Sequence, residues 1–289
     1  MSKIVLGGYS FHNLSEYEVH NLLNTAQKLG ITRVDTAPSY GVSEKHIGSF
    51  LNCNSNFRVS TKVGQPNPEK FSPESIKTQV YSSLEKLNVQ SFETLFVHNV
   101  PQEFITDESI QTLLELKTQG IFQYLGYSGD GDDLRFAIGT QIFDSFMSTL
   151  NILDQSNLDS LNSIKDSQFV YVKRALARGV WDVSIRNKTR IALDLLTRKK
   201  KSTDQQSYNF RFYEIFERHS FFTNYLELFF NFASSHSFVD YLALGTSSAK
   251  HLSDLANIES KGILMSNEEI NYFYNIWRER NLYSWVAKI

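Results

Sequence analysis

Strand-like runs alternate with helix-patterned stretches from near the amino terminus almost to the end of this chain, and that rhythm limits the fold more than any single motif. Lys3–Leu6 reads as a strand that ends at Gly7-Gly8. Asn13-Leu14-Ser15 opens a helix running to about Leu29, closed by Gly30, a residue type suited to the left-handed cap. Thr32–Asp35 is the next strand, Ser43 caps a short helix to Leu51, and Phe57–Val63 is a third strand. Ser72-Pro73-Glu74 starts a helix with proline at its first position, and Ile76, Val80, Leu84 and Leu87 give it one apolar face.

Phe92–Val97 has little internal polarity, as a strand buried on both faces requires. A helix over Asp107–Gln119 closes at Gly120, and Ile121–Tyr127 is a strand. The alternation continues as helix 132–138, strand 142–147, helix 157–165 and strand 168–175. A longer helical region then runs from Gly179 to about Ser237, before strand 239–244, helix 248–257 and a closing C-terminal helix over 267–280. Eight strand-then-helix units with no proline- or serine-rich linker predict an α/β fold, a (β/α)8 TIM barrel, as one domain over residues 1–289. An open doubly wound sheet is the alternative, but Gly7-Gly8 lacks the third glycine of a dinucleotide turn.

Composition narrows the function. The formal net charge of −2 gives no basic field for nucleic acid or an acidic membrane surface. The single cysteine, Cys53, excludes an internal disulfide and a cysteine-rich metal site, so no metal is expected. MSKIVLGGYS lacks the basic and apolar regions of a secretory signal, and no run approaches the ~20 apolar residues of a membrane span. A cytoplasmic location is the expectation. Arg198–Lys201 reads as a solvated helix end, and Phe221–Phe238 as core or as a patch for another subunit.

The chemistry-bearing residues fall at strand ends. Asp35 closes the second strand in VDTAPSYG, with Tyr40 in the loop beyond; Lys62 closes the third in VSTKVG; His98 closes the fourth in LFVHNV. In a parallel barrel these ends share one face, where side chains from separate strands meet. Each residue alone also fits a loop cap or a surface group. Together, an acid, a cation, an imidazole and a phenol at neighbouring ends point to a site.

These segments resemble the aldo-keto reductase superfamily. RVDTAPSYGVSEKHIG is similar to its strand-loop-helix signature, VSTKVG to its lysine strand, and SSLEKLNVQSFETLFVHNV to the helix and strand leading to its histidine. QGIFQYLGYSG, FDSFMSTLNILDQ and ALGTSSAKHLSDL follow in the family's order. The resemblance spans about residues 4 to 257 and is weakest between 181 and 238. It implies that Asp35, Tyr40, Lys62 and His98 are a catalytic tetrad in an NAD(P)H-dependent enzyme that interconverts an aldehyde or ketone, sugar-like ones included, with its alcohol. Hydride delivered to a carbonyl carbon leaves charge on oxygen, which takes a proton. A free tyrosine titrates near ~10, and a neighbouring lysine lowers that value.

The resemblance further implies that Gly245, Thr246, Ser247, Ser248, Lys250 and His251 hold the adenosine phosphate or ribose at a helix start, favouring NADP over NAD. Ser128 matches a serine on the nicotinamide carboxamide, but the family's asparagine and glutamine are Gly129 and Met147 here. Asn151 and Asp154 match the segment after that strand. Lys173 and Arg174 stand where they reach the pyrophosphate or an anionic substrate, or else face solvent. Tyr9, Phe11, His12, Asn99 and the 181–238 region are expected pocket walls for a small-molecule substrate. Two other readings stay open: a nicotinamide-binding regulatory protein of weak turnover, and a lyase or epimerase using the same acid–base groups.

Overall fold

A computed structural model describes residues 2–51, 56–181, 211–212, 215–216 and 224–279. Its eight strands are β1 (Ile4–Gly7), β2 (Arg33–Asp35), β3 (Arg58–Val63), β4 (Phe92–His98), β5 (Phe122–Ser128), β6 (Ser145–Thr149), β7 (Phe169–Lys173) and β8 (Tyr241–Gly245). They pair in sequence order, all parallel, and β8 returns to β1 with Ile4 opposite Leu242 and Gly7 opposite Gly245. The barrel is closed, as the eight-fold rhythm predicts.

Helices α1 (Glu16–Lys28), α2 (Ser43–Leu51), α3 (Pro73–Leu87), α4 (Asp107–Thr118), α5 (Gly131–Thr140) and α6 (Leu158–Asn162) follow the first six strands. Helix α7 (Tyr225–Ser234) precedes β8, and α8 (Ala249–Ser260) and α9 (Asn267–Glu279) follow it. Local chemistry sets several of these starts. Ser72 caps α3 from just before Pro73, and Ser15 and Thr106 form reciprocal capping boxes on α1 and α4. Gly30 and Gly120 both turn the chain at positive φ where α1 and α4 end.

Ser43 departs from its predicted place, because it lies inside α2 rather than before it. Its hydroxyl instead donates to the Gly8 carbonyl at 2.9 Å and bonds Thr36 Oγ1 at 2.9 Å, tying the tops of β1 and β2 to the helix. Residues 182–223 of the predicted helical region after Gly179, apart from Arg211–Phe212 and Ile215–Phe216, lie outside the described residues, as do the Arg198–Lys201 run and Cys53. In α7, Phe229, Phe230 and Phe232 are buried, so this aromatic stretch is core.

Side chains alternate along each strand. Leu6, Val34, Leu95, Val97, Leu125, Val172 and Leu242 join the layer between sheet and helices, while Val5, Phe96, Met147 and Tyr171 pack inside the barrel. The lower end is closed by Arg33, whose guanidinium grips Glu93 at 2.9 and 3.0 Å and lies 4.4 Å from the Tyr241 ring centroid. The other end, formed by the strand C-termini, is therefore the open mouth. Among the described residues no helix is long and apolar enough to cross a membrane, and no cluster of metal-ligating side chains forms.

Candidate active site

The structure brings Asp35, Tyr40, Lys62 and His98 together at this mouth. Asp35 and Lys62 end adjacent parallel strands and are both buried. The Lys62 ammonium donates to Asp35 Oδ2 at 2.5 Å and to the Thr36 carbonyl at 2.7 Å. It also lies 5.0 Å from the Tyr40 ring centroid. The Tyr40 ring meets His98 edge-on, with centroids 6.1 Å apart and planes at 84°. Tyr9, 63% exposed, packs edge-on against the outer side of Tyr40 and against His12, so the first loop forms part of the rim. Phe11 is fully buried and belongs to the core rather than to the rim.

Electrostatics assign each group a state. Burial disfavours the Lys62 ammonium, but Asp35 and Tyr40 outweigh it and raise its pKa, so the amine stays charged. His98 is held well below its usual value by burial first, then by Lys62 and Lys173; its imidazole is neutral. Tyr40 corrects the sequence expectation. Burial pushes the phenol above its ordinary value, and the opposing pull of Lys62 and Arg174 does not overcome it. The tyrosine therefore remains protonated at neutral pH. Asp35 Oδ1 and Asn99 Oδ1 are buried at this mouth without a hydrogen-bond partner, which leaves acceptors for a polar group entering from above.

At β8 the chain turns from Gly245 into α8. Gly245 is exposed, and a Cβ added there would meet only the Gly7 carbonyl oxygen, at 3.7 Å. Ser247, Lys250 and His251 are exposed at the start of α8, and the Ser248 hydroxyl accepts from the His251 N–H at 3.4 Å. Thr246 is turned inward; its hydroxyl accepts from the Ser248 N–H at 3.0 Å. Lys250 pairs with Asp254 at 2.9 Å on the surface, a contact weak enough to yield to a phosphate.

A sequence model of the aldo/keto reductase family matches residues 3–278. The chain belongs to that family. It is 28% identical over 152 residues to a D-threo-aldose 1-dehydrogenase from a Pseudomonas species, covering 41% of this chain and 46% of that one. It is 29% identical over 154 residues to an NADH-specific methylglyoxal reductase from Escherichia coli, covering 45% and 47%. The matched stretches thus span less than half of either relative's length. The holo form of an aldo-keto reductase from Bacillus halodurans superposes with a TM-score of 0.76 at 20% identity, over 100% of this chain and 93% of that one, a likeness of fold.

Aldo/keto reductases use nicotinamide cofactors, and the β8–α8 turn fits one: backbone is uncovered at Gly245 beside a helix N-terminus, where phosphate is favoured. The residues around the end of β5 differ from those the family resemblance implies. Ser128 ends β5 directly opposite His98 in register. A Cβ at Gly129 would come 2.5 Å from the Tyr127 ring, which is buried and donates its hydroxyl to the Val100 carbonyl at 2.9 Å. A side chain at residue 129 would therefore collide with a fixed aromatic ring. Met147, in the glutamine's place, packs inside the barrel with Phe96 and Tyr171.

The sequence reading missed Asp130. Its Oδ1 accepts from Ser148 Oγ at 2.8 Å, the Thr149 N–H at 2.8 Å and Asn157 Nδ2 at 3.0 Å. Its Oδ2 lies 3.1 Å from Lys173 Nζ and 3.9 Å from Arg174 Nη1. Burial alone would raise this carboxyl, but Lys173, the Thr149 N–H, Arg174 and Ser148 together hold it at about 2. Lys173 and Arg174 thus face a carboxylate rather than solvent. Asn151 donates to the Arg174 carbonyl at 2.9 Å, and Asp154 lies 3.5 Å from the buried Arg211, so both shape the loop after β6. No sequence signal marked Asp130, because an aspartate just before a helix is ordinary.

Proposed function

We propose that this aldo/keto reductase interconverts a carbonyl compound and its alcohol with a nicotinamide cofactor, Tyr40 handing over the proton. The observation that carries this reading is the Lys62–Asp35 ion pair at 2.5 Å beside a half-buried, protonated tyrosine. The bound nicotinamide would supply a hydride to the carbonyl carbon. Tyr40 donates its proton to the oxygen as charge develops there, and the Lys62 ammonium stabilises the resulting phenolate. Asp35 keeps Lys62 charged and aimed. Neutral His98 hydrogen-bonds the carbonyl oxygen and sets its angle of approach. A charged imidazole next to Lys62 would raise the electrostatic cost of the site, and its neutrality fits a positioning role.

Sugar-like carbonyls are the favoured substrates, since Asn99, His12 and Tyr9 offer polar and aromatic contacts around the mouth, and one relative is named an aldose dehydrogenase. Exposed Ser247, Lys250 and His251 at the α8 start support NADP over NAD, by giving a 2′-phosphate a cation and hydroxyls. Gly129 and Met147 favour a second reading, a nicotinamide-binding protein of slow turnover. Oxidation of NADPH with a panel of aldehydes and aldoses separates the two. Tyr40→Phe is expected to bind NADPH like the wild type, by fluorescence, while kcat falls about 10²–10⁴-fold. A Phe variant of undiminished turnover overturns the mechanism; wild-type binding without turnover on any carbonyl supports the second reading.

A further inference from the structure

The Lys62 ammonium has two fixed acceptors, and only one of them belongs to the tetrad. Asp35 Oδ2 takes one N–H at 2.5 Å, and the Thr36 carbonyl takes a second at 2.7 Å. An ammonium carries three N–H groups, so these two contacts decide where the third points. Tyr40 is the neighbour left for it, with its ring centroid 5.0 Å from the nitrogen. Whatever fixes the Thr36 carbonyl therefore helps to aim the lysine.

Two neighbouring residues in the first turn of α2 hold both strand ends. Ser43 donates its one O–H to the Gly8 carbonyl, so the 2.9 Å contact between the Thr36 and Ser43 hydroxyls is a donation from Thr36. A Cβ at Gly8 would lie 2.7 Å from the Ser43 oxygen and 3.0 Å from the Asp35 carbonyl oxygen, so β1, β2 and α2 meet here without room for a side chain. One residue further, Glu44 Oε1 accepts from the Thr61 hydroxyl at 2.8 Å. Thr61 stands between Val59 and Val63, which pack in the layer under the helices, so it faces α2 while Lys62 faces the barrel interior. Thr36, Ser43 and Thr61 are 0% exposed and Glu44 is 1% exposed. The same segment carries Tyr40, whose N–H donates to the Ala37 carbonyl at 3.0 Å and whose carbonyl accepts from the Ser43 N–H at 3.1 Å. The Thr36–Ser43 bond thus closes the phenol's loop across its base.

We propose that Ser43 and Glu44 are positioning residues: they hold Thr36 and Thr61, the chain neighbours of Asp35 and Lys62, and so keep the Lys62 ammonium directed at Tyr40. A lysine held by one carboxylate alone can pivot about that contact on its flexible stem. The Thr36 carbonyl removes the pivot, and the Thr61–Glu44 bond fixes the backbone from which the stem leaves β3. The effect of this clamp on turnover rests on the function proposed above; the placement of the ammonium does not.

Crystal structures and steady-state kinetics of the full chain test this with two paired replacements, Thr36→Val/Ser43→Ala and Glu44→Met/Thr61→Val. Each pair removes the partners of a hydrogen bond together and keeps shapes close to the originals, so the barrel is expected to fold. Where a pair does not fold, Ser43→Ala alone, the smallest change, takes its place. The Lys62 Nζ–Thr36 carbonyl distance is expected to open beyond about 3.5 Å, the limit of a hydrogen bond. With it, kcat should fall roughly ten- to hundredfold, while KM for the carbonyl and for NADPH stays unchanged. Thr36→Ser and Glu44→Gln retain the donor and the acceptor, and are expected to recover kcat to within about threefold of wild type. A role in stability alone would lower the urea midpoint and leave both kcat and the ammonium unmoved; that result overturns the proposal. A displaced ammonium with undiminished kcat overturns it as well, and so do conservative variants as slow as the pairs. A displaced ammonium in a chain that turns over no carbonyl would refute the function and leave the positioning role standing.

Discussion

At the scale of single residues, the proposed mechanism turns on the protonation state of Tyr40 in each direction. The four candidate side chains were legible in the sequence, because Asp35, Lys62 and His98 each interrupt an apolar run at its end and Tyr40 follows in the same loop. The sign of the tyrosine shift was not. Burial is a property of the packed molecule, and here it exceeds the effect of the lysine that the sequence did reveal. The sign has a measurable consequence. Since the phenol titrates above its usual range, the form that donates a proton dominates through neutral pH, and the form that accepts one appears only as pH rises past that value. Carbonyl reduction is therefore expected to hold steady through neutral pH and decline at strongly alkaline pH, while alcohol oxidation keeps climbing with no plateau below about pH 10. Initial rates of kcat/KM against pH in both directions check this; an oxidation plateau near neutrality contradicts it.

Among the elements, strands and helices were placed to within a few residues by caps, glycines and apolar spacing. Ser72-Pro73 before α3 and Gly120 after α4 are cases where one or two residues set a boundary. Contacts between elements were less legible. Ser43 reads as a cap, yet its hydroxyl ties α2 to Gly8 and Thr36. Gly48 looks like an ordinary helix glycine, yet a Cβ there would lie 2.0 Å from the Lys86 carbonyl oxygen, because α2 and α3 touch backbone to backbone. Gly48→Ala is accordingly expected to destabilise the protein by about 1–3 kcal/mol through overpacking, despite alanine's better helix propensity. Gly139→Ala in α5, where nothing lies within 4 Å of the added methyl, is expected to be neutral or stabilising by up to about 1 kcal/mol. Urea unfolding of both variants makes the comparison, and equal effects would show that the α2–α3 approach does not limit residue 48.

For the whole molecule, the order of the strands followed from counting strand–helix units, since consecutive parallel strands with right-handed crossovers lie side by side and eight of them close. Closure is what carries Asp35, Lys62, His98, Ser128, Lys173 and Gly245 from six different strands to one mouth. The Asp130 network could not be foreseen from the sequence, because its partners Ser148, Asn157 and Lys173 are neighbours only after closure. Catalysis of the proposed kind requires that hydrogen pass directly from a nicotinamide to a substrate carbon above the tetrad. The most direct test is reduction of an aldose or aldehyde with NADPH carrying deuterium at the transferable ring position, with the product analysed by mass spectrometry. The wild type should place one deuterium on the former carbonyl carbon, and Tyr40→Phe should slow that labelling in step with kcat. Product bearing no deuterium, or bound cofactor that labels no carbonyl at all, would contradict it.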